Sequence, residues 1–107
     1  MKRGDLVSVA VSGDYGKPRP ALIIQSDAFD VHPSVTVLLL TSELRELQLL
    51  RITVQPTKQS GLKKVSQIMV DKAQTVPRGK LGHHIGRIDV ATMRKVEMAL
   101  AAFLGLI

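Results

Sequence analysis

The chain contains no cysteine and no tryptophan among its 107 residues. The missing thiols exclude a disulfide scaffold, a thiolate nucleophile and any cysteine-ligated zinc or iron–sulfur centre. Tyr15, Phe29 and Phe103 are its three aromatic residues, too few for a module that stacks several bases on exposed rings. No uninterrupted apolar run approaches the ~20 residues that a membrane-spanning helix needs. Met1-Lys2-Arg3-Gly4-Asp5 leads into strand-like alternation without the apolar stretch of a signal peptide, so a cytoplasmic location is expected. Acidic residues are also scarce: Asp and Glu number 9 against 15 Lys and Arg, a formal net charge of +6. That excess suits a polyanion, whether nucleic acid, an acidic protein or an anionic membrane surface. With 45% hydrophobic residues, the composition fits one folded domain over residues 1–107 and not a disordered basic tail.

Short strand patterns fill most of the chain. Asp5 to Val11 alternates partly and is rich in β-branched residues, then stops at the turn formers Ser12 to Pro18. Ala21 to Gln25 is a short apolar run entered through Pro20, and Ser34 to Thr41 is the clearest strand, apolar enough to be central. Thr41 or Ser42 followed by Glu43 to Leu47 predicts an N-capped helical turn or two. Further strands are expected at Arg51–Gln55 and at Val65–Val70, with Ala73–Val76 continuing or following the latter, and Leu81–Gly86 is read as a loop. From Asp89, a plausible N-cap, the period becomes helical: Met93, Val96, Leu100, Phe103, Leu104 and Ile107 form one face. The fold class expected is therefore mainly β with α. Its architecture is a small SH3-like antiparallel β-barrel, with a short helix after the central strand and a C-terminal helix.

The basic excess is concentrated. Lys58, Lys63, Lys64, Lys72, Arg78 and Lys80 fall in one section whose single acid is Asp71. This reads either as a solvated surface or as a groove that follows a phosphodiester backbone. A membrane surface is disfavoured, since these residues lie on predicted strands and turns and not on an amphipathic helix. His83 and His84 are adjacent, and neighbours on an extended chain point to opposite sides, so they are read as surface or structural residues. No metal site and no cofactor is expected. The remaining chemical candidates are Arg19, at a loop-to-strand junction before Pro20, together with Asp14, Thr41, Ser42 and Lys64. Thr41 and Ser42 close a central strand, which is equally the place for a site and for a helix cap.

Arg3-Gly4-Asp5-Leu6-Val7, a polar loop, and the strand Arg19-Pro20-Ala21-Leu22-Ile23 resemble the opening of MazF/PemK toxins of bacterial toxin–antitoxin pairs. The likeness continues at Val37 to Ser42, at Ser66-Gln67-Ile68 and over Asp89 to Leu104, so it spans nearly the whole chain in order. The resemblance implies a homodimeric, metal-independent, sequence-specific endoribonuclease. In such an enzyme the substrate's 2′-hydroxyl attacks the adjacent phosphate to leave a 2′,3′-cyclic phosphate and a 5′-hydroxyl. By that likeness Arg19 and Thr41 are catalytic and Ser42 helps. Asp14, Lys17, Lys63, Lys64 and Gln67, with Lys72, Arg78 and Lys80, are assigned to RNA. Some positions depart from relatives: Tyr15 follows Asp14, Lys17-Pro18 precede Arg19, and Met69 stands where several relatives have arginine. An Arg-x-Asp pair of another branch is Lys64 and Ser66 here.

The resemblance also implies a small acidic antitoxin whose flexible segment covers the basic section. Ser12–Pro18 and Glu43–Leu50 are the candidate specificity loops. The apolar end of the last helix is left between core and dimer interface. Two other functions share the barrel. One is a DNA gyrase poison of the CcdB type, whose Trp-Gly-Ile tail is matched here only by Leu104-Gly105-Leu106-Ile107. The other is a non-catalytic nucleic-acid-binding barrel, which the scarcity of aromatics disfavours.

Overall fold

The alternation that starts at Asp5 and the apolar run that starts at Ser34 both become strands, and four further strands assemble around them. The computed structural model describes residues 1–10, 17–46 and 49–107. Its strands are β1 (Asp5–Ala10), β2 (Pro18–Ile23), β3 (Ser34–Thr41), β4 (Arg51–Val54), β5 (Ser66–Pro77) and β6 (Leu81–Arg87). One helix, α1 (Val90–Phe103), follows them. The strands pair antiparallel in the order β4-β5-β3-β2-β1-β6. β3 is interior, as its apolar run predicts.

Both faces of the sheet are buried. On one, Leu6, Leu22, Leu38 and Leu40 meet Met93, Val96 and Ala99 of α1. On the other, Val7, Val9, Ala21, Ile23, Val37 and Leu39 cluster with Met69 and Val76. Successive side chains point to opposite faces, so each neighbouring pair such as Leu22 and Ile23 feeds both clusters. The second cluster is enclosed because the sheet curls. In a flat sheet the pairing order would hold β5 and β6 roughly 19 Å apart. The 3-10 turn Arg78–Lys80 alone joins them, and so short a connection reaches at most about 14 Å.

Curling stops short of the predicted barrel. β4 and β6 are the outer strands of the order and share no ladder. A loop spans the gap in place of a strand pair: the Arg87 N–H donates to the Gln59 carbonyl at 2.9 Å. Ser60, 3% exposed, holds that loop together. Its Oγ donates to the Gln55 carbonyl at 2.8 Å and accepts the N–H groups of Thr57 and Leu62. Gly86 allows the approach, since a Cβ there would overlap the Ser60 carbonyl.

Other local expectations change for identifiable reasons. Among the described residues no helix follows β3: positions 42–46 are a bent loop, and Leu47 lies outside the described residues. Residues 73–76 continue the strand expected at 65–70, because both halves pair with β3 across a register shift between Leu38 and Leu40. Leu81–Gly86 is a strand and not a loop, since pairing with β1 overrides the weak strand propensity of Gly82 and Gly86. β2 begins at Pro18, earlier than its apolar run suggests. α1 starts after Asp89 as predicted, and Met93 and Val96 are buried. Phe103, Leu104 and Ile107 are half to three-quarters exposed, so the last turn is not core of this chain.

The sheet's start is fixed by charge. The buried Asp5 carboxylate accepts the Lys2 N–H at 2.7 Å and Arg87 Nη1 at 2.7 Å, with His84 Nε2 at 3.5 Å. Burial pushes this carboxyl up, but the Lys2 N–H, Arg87 and His84 together outweigh it and hold it below its ordinary value. A depressed carboxyl contributes stability that is complete above the unfolded value and lost as pH falls through the folded one. Asp5→Asn should therefore lose about 1–3 kcal/mol at pH 7, and less with each step of acidification below about pH 4. Denaturant titrations of both proteins at pH 7 and pH 3 check this; a deficit that persists undiminished at pH 3 would contradict it.

Candidate active site

The register of β2 and β3 pairs Ala21 with Leu39 and Leu22 with Leu38. Continued by two residues, it sets Arg19 opposite Thr41 on one face of the sheet, where directly opposed side chains come within about 5 Å at Cβ. Both residues sit where their strands end. Arg19, Thr41 and Ser42 line one open pocket of about 700 Å³, with Lys17, Lys63 and Lys64. The floor is apolar, with Pro18, Pro20, Leu40, Leu62 and Ile85, and Ser66 and His83 add polar atoms. Four fixed cations and no carboxylate line it among the described residues. Apolar walls around charges of one sign focus the field and draw anions inward.

The wall that carries Lys63 and Lys64 is placed by Gly61, at φ +69°. A Cβ at Gly61 would overlap the Ile85 carbonyl, so glycine alone lets this loop lie against β6. On the opposite wall, Thr41 Oγ1 accepts the Glu43 N–H at 3.1 Å. The capping contact foreseen in the sequence is thus made without the helix. A hydroxyl that accepts in this way keeps its own hydrogen to donate.

Gln67, paired with Thr41 across the ladder, is 6% exposed and has different employment from the RNA contact expected. Its Oε1 accepts the Arg45 N–H at 3.0 Å and its Nε2 donates to the Arg45 carbonyl at 2.9 Å. The side-chain amide thus clamps the loop beyond Thr41, and Arg51 Nη1 donates to the Glu43 carbonyl at 3.2 Å to hold it further.

The basic section of the sequence divides in space. Lys63 and Lys64 are at the pocket, whereas Lys72 lies on an exposed stretch of β5 beside Asp71, 3.8 Å away. Arg78 and Lys80 occupy the turn into β6, with Arg78 Nε donating to the His32 carbonyl at 2.9 Å. Lys72 precedes Ala73, which pairs with Leu38, and Lys80 precedes Leu81, which pairs with Val9, itself the partner of Arg19. None of Lys72, Arg78 and Lys80 lines the pocket. Asp14 lies outside the described residues, as do most of the Ser12–Pro18 loop and positions 47–48 of the Glu43–Leu50 loop.

His83 is the pocket residue that sequence reasoning set aside. Its partner, Ser8, is 75 positions away, and only the β1–β6 pairing brings them together. His84 turns the other way, to Asp5. Among the described residues, no three His, Asp or Glu side chains gather as a metal site, and no helix is long and apolar enough to cross a membrane.

A curled antiparallel sheet with a helix on one face and a cation-walled pocket at the ends of its inner strands is a site for a phosphate-bearing polyanion. The chain matches the PemK-like, MazF-like toxins of type II toxin–antitoxin systems over residues 2–104. It belongs to that family. It is 48% identical over 107 residues to a probable endoribonuclease MazF of Mycolicibacterium smegmatis, with 99% of this chain and 98% of that protein covered. Endoribonuclease EndoA of Bacillus subtilis is 30% identical over 112 residues, covering 100% of this chain and 97% of its own. A mycobacterial endoribonuclease solved in complex with its cognate antitoxin superposes with a TM-score of 0.84. That structure is 26% identical, and the match covers 100% of this chain and 97% of the other.

Proposed function

We propose that this chain, an endoribonuclease of the toxin family, cuts single-stranded RNA at a short recognition sequence without a metal ion. The 2′-hydroxyl attacks the adjacent phosphorus, the bond to the 5′-oxygen breaks, and a 2′,3′-cyclic phosphate and a 5′-hydroxyl remain. The observation that carries this reading is that Arg19, Thr41 and Ser42 line one pocket together with three lysines. A guanidinium offers two parallel N–H donors to the charged phosphorane, and a threonine hydroxyl offers a third. Ser42 adds a hydroxyl beside them, while Lys17, Lys63 and Lys64 hold flanking phosphates. Lys72, Arg78 and Lys80 stand outside the lining of the pocket. They suit a longer strand or a site shared across a dimer.

Residues 1–107 act in this reading as one toxin domain in the cytoplasm, paired as a homodimer. The exposed Phe103, Leu104, Leu106 and Ile107 supply apolar surface for such pairing. The relatives solved with antitoxins support a cognate acidic antitoxin as the second partner, because a carboxylate-rich segment complements the four cations of the pocket. Mapping the 5′ ends of total RNA treated with the purified chain tests the proposal. New 5′-hydroxyl ends at one short recurrent sequence are expected; ends scattered without sequence preference, or none, would contradict it.

A further inference from the structure

The reaction proposed above needs an atom that takes the 2′-hydroxyl proton, and neither Arg19 nor Thr41 supplies one at neutral pH. Among the described residues that line the pocket, His83 is the one whose side chain has a ring nitrogen that can accept a proton. Its ring is held by a prepared contact. Ser8, 4% exposed on β1, receives the His83 backbone N–H on Oγ at 2.9 Å and meets Nδ1 with the same atom at 3.1 Å. Gly82 makes room for this: a Cβ on it would overlap the Ser8 Oγ. A buried hydroxyl, a glycine and a histidine from two strands thus converge on one ring orientation.

We propose that His83 is the proton acceptor of the RNA cleavage reaction and that Ser8 is its positioning residue. The inference rests on the endoribonuclease reading given above. With Nδ1–H donated to Ser8 Oγ, which has lone pairs for both N–H groups, Nε2 carries the free lone pair. The 2′-hydroxyl proton passes to Nε2 as the 2′-oxygen–phosphorus bond forms and the phosphorus–5′-oxygen bond breaks. The departing 5′-oxygen takes a proton from water, and the imidazolium returns its proton to solvent. Among the described residues, the charged groups that line the pocket with it are Lys17, just before β2, Arg19 of β2, and Lys63 and Lys64 from the 61–64 loop. Ser8 is its partner on β1. Each of the cations can hold the phosphate.

The test compares wild type, His83→Gln, His83→Ala and the neighbouring control His84→Gln on one defined RNA between pH 5 and pH 8. Wild-type kcat should be higher at pH 8 than at pH 5, as a step that needs an unprotonated acceptor requires. His83→Gln should lower kcat at pH 7.5 by about a hundredfold or more, with KM within about threefold, and should abolish the rise. Added imidazole should restore part of the His83→Ala rate, which requires a folded site and so separates chemistry from misfolding. His84→Gln should follow wild type. An undiminished kcat and unchanged pH profile in His83→Gln, or no rescue of a folded His83→Ala, overturns the role of His83 alone. Failure of the wild-type chain to cut RNA overturns the underlying reading, and His83 with it.

Discussion

Arg19→Ala is expected to reduce RNA cleavage by a thousandfold or more, on the order of what a single transition-state arginine supplies. Arg19 stands at the end of β2, opposite Thr41 by the continued register, and it is half-buried at the pocket rim and belongs to neither apolar cluster. The fold should therefore survive, with a melting temperature within a few degrees of wild type. Arg19→Lys keeps the charge and loses the planar pair of donors, so its activity should fall between the two. Initial rates on a fluorogenic RNA, read beside thermal denaturation curves, separate catalysis from stability. Wild-type rates in folded Arg19→Ala would remove this residue from the chemistry.

Gly61→Ala is expected to destabilise the chain by about 2–4 kcal/mol, combining the strain of a left-handed backbone with overpacking. Gly61 has φ +69°, and the atom its added methyl would strike is the Ile85 carbonyl, a backbone atom that cannot swing aside. A loss of that size lowers the melting temperature of a chain of this length by roughly 10 °C or more. The same displacement moves Leu62, Lys63 and Lys64, so RNA binding should weaken as well. Gly79→Ala is the matched control, because nothing lies within 4 Å of a Cβ there; it should change stability by less than about 0.5 kcal/mol. A Gly61→Ala protein as stable as wild type would mean that the 55–61 loop does not need to lie against β6.

What the sequence disclosed depended on how local the determining contact is. β3 was legible because both of its faces are buried, so Val37 to Leu40 is apolar without interruption. α1 was legible as far as its core contacts run, through Met93 and Val96. Periodicity then carried on to Phe103, Leu104 and Ile107, which the sheet does not cover. β6 was hidden by Gly82 and Gly86, which weaken strand propensity for a reason seated elsewhere. Each gives up its Cβ so that Ser8 or Ser60 can approach. Asp71 and Lys72 left open whether 73–76 continues the strand at 65–70, since a charged exposed stretch interrupts one ladder. The barrel failed on a similar long-range detail, a loop closing the gap between edges where a strand pair was expected.

The site divides in the same way. Arg19 and Thr41 stood out because strand ends next to Pro20 and Ser42 carry local marks, and the resemblance to a toxin family fell on those residues. The basic count was legible, but not that Lys63 and Lys64 alone of that section line the pocket, which depends on the loop that Gly61 sets against β6. Gln67 lay in a recognisable motif, and its burial beneath Arg45 depends on a loop 22 residues away. His83 was marked only as one of an adjacent pair and read as surface or structural, because its partner Ser8 lies 75 positions away.

Attack by the substrate's own 2′-hydroxyl is the centre of this account, and one substitution in the RNA tests it. Two oligonucleotides carrying the mapped recognition sequence, one all-ribose and one with a single 2′-deoxy sugar at the cleavage position, are incubated with the chain in EDTA. The all-ribose strand should be cut to a 2′,3′-cyclic phosphate and a 5′-hydroxyl, while the deoxy strand binds and stays whole. Cleavage of the deoxy strand, or loss of all cleavage in EDTA, would contradict the account.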